Sequence, residues 1–132
     1  MSPILFDTDV LIDHLRGEIQ AQDLLKKLKK KHTFIISVIT VAEIEAGIYE
    51  TETETERETV QEFLSFFDFS PITEEIAKKA GAYKRMFHRT HRLLLPDALI
   101  AATSFEMKVP LYTLNLKDYP MKDISVFSPY LK

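Results

Sequence analysis

The chain has 132 residues, of which 45% are hydrophobic and 28% charged, a composition that excludes a disordered or collagen-like chain and fits one globular domain over residues 1–132. The absence of cysteine excludes disulfide bonds and thiolate zinc sites, and it suits a reducing cytoplasm, where we expect the protein to act. With a net charge of −3, any binding of nucleic acid requires a local basic patch.

Short apolar runs alternate with helical periodicity along the chain, and no run is long enough to cross a bilayer, so we expect no membrane span and no signal peptide. The first half predicts, in order, a strand at 4–6, a helix at 10–15, a helix around 24–28, a strand at 33–36 and a helix through Glu43. The second half predicts a helix with its apolar face at 60–67, an edge strand at 67–69, helices from Thr73 and Pro96, and strands at 109–113 and 124–127.

Strands separated by helices indicate an α/β protein with a mainly parallel sheet of four to five strands that is covered on both faces. In such sheets the ligand crevice lies beyond the carboxyl ends of the strands. Asp7, Ser37 and Asn115 each lie just past a predicted strand. The sequence therefore favours a polar site at this edge of the sheet.

Asp7 and Asp9 follow a buried strand directly, which is an unfavourable place for two carboxylates unless a hard cation such as Mg²⁺ relieves their repulsion. Each candidate acid also has a simpler explanation. Asp7 or Asp9 could cap the helix that begins near Val10. Glu43 could close a capping box with Thr40, and Asp97 suits the dipole of a helix's first turn. Taken singly, the simpler role explains Glu43 and Asp97 better and Asp7 about equally well.

Four strings that occur in a fixed order change this balance. They are residues 4–12 around Asp7, the pattern Ser37-x-x-Thr40-x-x-Glu43-Ile44-x-x-Gly47, residues 95–103 around Asp97, and residues 113–119. Together they closely resemble the PIN-domain ribonucleases, in particular the VapC-type toxins of prokaryotic toxin–antitoxin pairs, over residues 4–129. The resemblance implies a PIN-like three-layer α/β/α sandwich and a ribonuclease that uses Mg²⁺ or Mn²⁺ to hydrolyse phosphodiester bonds with an activated water.

By the same resemblance, four acids would gather the metal: Asp7, Glu43, Asp97 and Asp118. Asn115 is an alternative, neutral contributor at the fourth position. Hydroxyl groups would orient the acids, from Thr8, Ser37, Thr40 and Thr113. The chain departs from the family pattern at Asp9, where Asn is more common, and at residues 91–93, where the glycine that often precedes the Leu-Pro-Asp string is missing.

Cations for an RNA substrate are found at residues 26–31 and in the acid-free stretch 78–92, which leads to Asp97. Within the second stretch, we expect four residues to hold RNA phosphates through sequence-independent charge: Lys84, Arg85, Arg89 and Arg92. A solvated helix face explains these cations equally well.

The resemblance further implies a homodimer and a cognate antitoxin that inserts a segment into the acidic crevice. Two other functional classes remain open. Residues 4–9 also look like the opening strand and Asp-x-Asp loop of a haloacid dehalogenase-like phosphatase, with Asp7 as nucleophile and Asp9 as acid/base, although no later metal-binding string is present. The other is a PIN-like module that binds RNA or protein without cutting, although a set of mutually repelling acids speaks against it.

Overall fold

A five-stranded, all-parallel sheet lies at the centre of the computed structural model, which describes residues 1–131. Its strands are β1 (Ser2–Phe6), β2 (His32–Ser37), β3 (Asp68–Ser70), β4 (Leu111–Tyr112) and β5 (Val126–Phe127). They lie in the order β3-β2-β1-β4-β5, so the first strand of the chain is the central one. The predicted parallel sheet and the predicted edge strand near residue 68 are confirmed.

Helices connect successive strands: α1 (Thr8–Leu15), α2 (Ile19–Leu28), α3 (Val38–Gly47), α4 (Glu54–Leu64), α5 (Glu74–His91) and α6 (Leu95–Met107), with a 3-10 turn at Leu116–Asp118. Thr73 caps α5 by accepting a hydrogen bond from the Ile76 amide at 3.2 Å, which agrees with its predicted role. Across residues 1–131 no helix is both long and apolar enough to pass through a membrane.

The strand predicted at 109–113 is shorter in the structure, where β4 covers only Leu111–Tyr112. Its first two predicted residues cannot donate to a neighbouring strand. The amide of Val109 donates to the Ser104 carbonyl at 3.2 Å, and Pro110 has no amide hydrogen. Pro110 only accepts, from the Leu5 amide at 3.0 Å, and the paired residues of β4 begin at Leu111.

The sheet separates two hydrophobic clusters because successive side chains of a strand point to opposite faces. Ile4 and Phe6 of β1 belong to the cluster formed with α1, α2, α3 and α4. Leu5 belongs to the cluster formed with α5 and α6. The structure is therefore the predicted three-layer α/β/α sandwich.

Helices α5 and α6 pack closely along their length and are joined by only three residues, 92–94, so they run in opposite directions. Small side chains of α6, at Ala98, Ala101 and Ala102, are fully buried and allow the close approach. The C-terminal end of α5 consequently lies beside the N-terminal end of α6, where Asp97 is found.

Among the fully buried side chains on the α1 side of the sheet, the ring of Phe6 is the largest. It is fully buried and makes edge contacts with Phe34, Phe67 and Tyr112 at centroid distances of 5.0, 6.0 and 5.8 Å. We expect Phe6→Ala to lower the free energy of unfolding by about 3–5 kcal/mol, because it leaves a cavity under the central strand. Urea denaturation measures the loss. Phe66→Ala, at a mostly exposed ring, is the control and should cost about 1 kcal/mol or less. Equal losses in the two variants would contradict this assignment of the core.

Candidate metal centre at the carboxyl edge of the sheet

Asp7 occupies the junction between β1 and α1 and has both of its carboxylate oxygens engaged. Oδ1 accepts the Thr8 amide at 2.8 Å, so Asp7 caps α1, as the simpler explanation of this residue proposed. Oδ2 accepts the hydroxyl groups of Thr113 and Tyr119, each at 2.8 Å. Burial still raises the pKa of Asp7 above its usual 3.8, and repulsion from Glu43 adds to the effect. The cap is therefore also a buried, electrostatically crowded group.

Asp97 lies in the first turn of α6, directly after Pro96. Its pKa is raised to about 6, first by burial and then by repulsion from Asp7, Asp118 and Glu43. These four acids belong to different parts of the chain, namely the β1–α1 junction, α3, α6 and the 3-10 turn. The Tyr119 hydroxyl group lies 2.8 Å from Asp7 Oδ2 and 3.4 Å from Asp97 Oδ1, and Glu43 and Asp118 are close enough for their charges to act on Asp97.

Glu43 is positioned by Thr8 and not by a capping box. Helix α3 begins at Val38, and Ser37 caps it by accepting the Ile39 amide at 3.1 Å. The predicted capping box with Thr40 is therefore wrong, because Glu43 lies in the second turn, beyond the free amides of the helix start. Its Oε1 instead accepts the Thr8 hydroxyl at 2.6 Å.

Two of the predicted hydroxyl groups thus contact acids and two do not. Thr8 binds Glu43, and Thr113 binds Asp7. Thr40 is one step further away, with its Oγ1 3.0 Å from the hydroxyl of Thr8. Ser37 is fully buried and serves the start of α3.

Asp9 organises the segment that follows β4. Its Oδ2 accepts the Leu114 amide at 3.0 Å and the Asn115 side-chain amide at 2.9 Å. The Thr113 hydroxyl oxygen lies 3.3 Å away, with its proton directed to the nearer Asp7. Burial and the charge of Asp7 raise its pKa to about 7. Asn115 therefore uses its amide to bind Asp9, while the next turn carries Asp118. Among residues 1–131, Asp9 Oδ1 is a buried oxygen without a hydrogen-bond partner.

Tyr119 is the residue of this site that the sequence analysis missed. It follows Asp118, is buried, and donates its hydroxyl group to Asp7 Oδ2, with Asp97 Oδ1 at 3.4 Å. Burial, followed by the charges of Asp7 and Asp97, raises the pKa of Tyr119 well above 10, so its hydroxyl group remains a donor. The only signal in the sequence was its position at the end of the fourth string.

The predicted RNA-binding cations differ from one another in the structure. Arg85 and Arg89 are exposed on the last turns of α5, and Arg92 is exposed at its C-cap in a left-handed backbone conformation with φ 48°. Lys84 is half-buried, and its Nζ donates to the Leu93 carbonyl at 2.5 Å. Lys84 thus holds the α5–α6 connection, while the three arginines are exposed at the C-terminal end of α5.

The chemistry of the acidic cluster fits a hard divalent cation. Its donors are carboxylate oxygens, their mutual repulsion falls when a cation binds, and one buried carboxylate oxygen, Asp9 Oδ1, lacks a partner. Within residues 1–131, no group of three or more His, Cys, Asp or Glu side chains is already arranged to hold a metal ion.

Residues 4–118 match the model of the PIN domain, and the chain therefore belongs to the PIN-domain family. Within the family it is similar to Ribonuclease VapC10 of Mycobacterium tuberculosis, with 42% identity over 89% of this chain and 86% of the relative. It is also 34% identical to Ribonuclease VapC19 of the same organism, over 89% of this chain and 92% of the relative.

Solved structures agree with the family in fold. A toxin–antitoxin complex from Klebsiella pneumoniae contains a chain with a TM-score of 0.79 and 30% identity, covering 98% of this chain and 99% of that one. FitAcB from Neisseria gonorrhoeae gives a TM-score of 0.74 with 26% identity, covering 96% and 97%. The family match speaks against the haloacid dehalogenase alternative, and Asp9, which that alternative needs as acid/base, is engaged by residues 113–115.

The raised pKa values predict how stability depends on pH in the metal-free protein. The folded protein binds protons at Asp97 and Asp9 with pKa values of about 6 and about 7, whereas in the unfolded chain both acids titrate near 3.8. At a pH between 3.8 and about 7, the folded protein therefore binds more protons than the unfolded chain. The free energy of unfolding should consequently fall as pH rises from 5 to 8. Thermal unfolding in the presence of a chelator measures this trend.

Asp97→Asn is the control for this prediction, because it removes one of the titrating groups and should flatten the pH dependence. Comparing the variant with the wild type cancels the contributions that other groups make to the pH dependence. One such group is His14, whose pKa is lowered by burial, so that it changes the stability in the opposite direction. Identical pH profiles for the two proteins would contradict the crowded-acid description.

Proposed function

We propose that this protein is a divalent-metal-dependent ribonuclease and the toxin of a type II toxin–antitoxin pair, and that it acts in the cytoplasm. The observation that carries the proposal is that Asp7 and Asp97, from separate elements, lie 2.8 and 3.4 Å from one hydroxyl group, that of Tyr119. Burial, followed by repulsion from Asp7, Asp118 and Glu43, raises the pKa of Asp97 to about 6. The proposal is supported by 42% identity to a VapC ribonuclease over 89% of the chain.

The residues that would hold Mg²⁺ or Mn²⁺ are Asp7, Glu43, Asp97 and Asp118. When bound there, the cation supplies Lewis-acid chemistry, which makes water more acidic and stabilises negative charge on the scissile phosphate. The chain itself orients the ligands. Thr8 fixes Glu43, Thr113 fixes Asp7, and Asp9 with Asn115 fixes the segment that leads to Asp118.

RNA would approach along the α5–α6 junction. Arg85, Arg89 and Arg92 are exposed there and could bind phosphate oxygens through charge that is independent of sequence. Lys84 has a supporting role, because its ammonium group is engaged by the Leu93 carbonyl. Such contacts would bring the RNA backbone to the acidic edge of the sheet without distinguishing one base from another.

The proposed protein partners are a cognate antitoxin and a second copy of the chain. Structures of the same fold include a toxin–antitoxin complex, and an acidic crevice suits a basic segment of a partner. A homodimer is supported by large apolar side chains that remain exposed around the α5–α6 junction, at Met86, Leu94 and Leu95.

Asp7→Asn tests the function directly. We expect cleavage of a labelled RNA in Mn²⁺ to fall by at least about 100-fold, because a ligand is lost from the proposed centre. The fold should persist, because Asn is as good an N-cap as Asp and the repulsion is relieved. Gel analysis of the cleaved RNA and a thermal melt of each variant measure the two effects, and EDTA should stop the wild-type reaction.

Asp13→Asn is the matched control, since Asp13 is a buried acid on the same helix that accepts the Tyr130 hydroxyl at 3.0 Å. It should retain cleavage. Undiminished cleavage by Asp7→Asn would show that Asp7 is not a ligand of the proposed metal centre. Unfolding of Asp7→Asn would show that Asp7 serves only as the cap of α1. A wild-type protein that binds RNA without cutting it would favour the non-cleaving PIN-like module.

Arg92→Gly tests the RNA-binding surface. Arg92 and Lys108 are both helix C-caps in the left-handed region, with φ 48° and 56°, where glycine is favoured. Either substitution by glycine should raise the free energy of unfolding by about 1 kcal/mol. Only Arg92→Gly should weaken RNA binding. Its affinity should also depend less steeply on salt concentration, by the amount expected for the loss of about one phosphate contact.

Binding is measured in EDTA at several salt concentrations, so that cleavage does not interfere. Lys108→Gly is the control because it relieves the same backbone strain at the opposite end of α6. Equal RNA affinity for the two variants would show that Arg92 is not part of the RNA-binding surface.

A further inference from the structure

We infer that Tyr119 is a positioning residue of the candidate metal centre, whose hydroxyl group fixes Asp7 so that Oδ1 is the oxygen presented to a cation. The inference rests on the proposed function. Tyr119 is buried, and its hydroxyl group lies 2.8 Å from Asp7 Oδ2 and 3.4 Å from Asp97 Oδ1. It is thus the one side chain described here that touches both of these acids.

The hydrogen bonds around Asp7 determine which oxygen remains available. A carboxylate oxygen has two lone pairs. Both lone pairs of Oδ2 are used, by the hydroxyl groups of Thr113 and Tyr119. Oδ1 accepts only the Thr8 amide and keeps one lone pair. Asp7 can therefore offer a cation a single oxygen, Oδ1, without breaking a hydrogen bond.

The Tyr119 hydroxyl has a second effect because it lies between two acids that repel each other. A hydroxyl group has one proton, and the shorter distance assigns that proton to Asp7. The same proton can reach Asp97 Oδ1, 3.4 Å from the hydroxyl oxygen, only when it leaves Asp7. Tyr119 therefore stabilises the charge of one of the two acids at a time, and Asp7 is the favoured one.

The position of Tyr119 is fixed by the same turn that carries Asp118. The Tyr119 amide donates to the Leu116 carbonyl at 3.0 Å, which closes the 3-10 turn. Asp118 precedes it directly and contributes to the repulsion at Asp97. One short segment thus carries one candidate ligand and orients another, so that a shift of this turn would disturb both.

The test is Mn²⁺ binding to the intact protein, measured by calorimetry for wild type, Tyr119→Phe and Tyr83→Phe. The two tyrosines are matched. Both are buried, and both donate their hydroxyl group to an aspartate, at 2.8 Å for Tyr119 and 2.7 Å for Tyr83 with Asp123. Removing either hydroxyl group keeps the ring and should lower the melting temperature by a similar amount.

Tyr119→Phe should weaken Mn²⁺ binding by about 10–100-fold, the usual effect of losing a partner that orients a metal ligand. Tyr83→Phe should bind Mn²⁺ as the wild type does. The Mn²⁺ concentration that gives half-maximal RNA cleavage should rise in Tyr119→Phe, while the rate at saturating Mn²⁺ is largely retained. A purely structural role would not separate these two quantities.

Three results would overturn the inference: unchanged Mn²⁺ affinity in Tyr119→Phe, equal losses in both variants, or tighter binding, which would mean that the hydroxyl group competes with the ion. The proposed function is tested separately by the wild type in the same experiment. A wild type that neither binds Mn²⁺ nor cuts RNA overturns the metal centre itself, whereas wild-type binding with an unaffected Tyr119→Phe overturns only the role of Tyr119.

Discussion

Burial of the Asp7 carboxylate at the end of the central strand is the constraint on which the rest of the site depends. A buried charge is costly unless hydrogen-bond donors surround it. The donors here come from the start of α1, from the end of β4 and from the residue after the 3-10 turn, as Thr8, Thr113 and Tyr119. The last two of these bonds tie the C-terminal part of the chain to its first strand, so the fold is organised around an acid that is itself a functional candidate.

These donors only partly compensate for the crowding of the acids. Burial and mutual repulsion still raise the pKa values of Asp7, Asp9 and Asp97. Such a cluster lowers the stability of the metal-free protein near neutral pH, and the proposed divalent cation would relieve the repulsion. Hydroxyl groups stabilise the carboxylates in the metal-free protein without adding a positive charge that would repel such an ion.

The α5–α6 hairpin carries one structural cation and the three cations proposed to bind RNA. Lys84 stabilises the connection through the Leu93 carbonyl, and the arginines are exposed to solvent. Arg92 holds a backbone conformation that glycine would adopt at lower cost. The proposed contact with RNA would give the arginine side chain a use at this position.

Local patterns in the sequence were sufficient for the order of strands and helices and for the position of Asp7 and Asp97, because strand ends and helix starts depend on neighbouring residues. They failed for the capping box of Glu43, since α3 begins at Val38 with Ser37 as its cap, and not at Thr40. They also could not separate Lys84 from the arginines, or assign Asn115 and Tyr119. Those roles depend on hydrogen bonds between residues up to 112 positions apart, from Asp7 to Tyr119, which only the tertiary structure brings into contact.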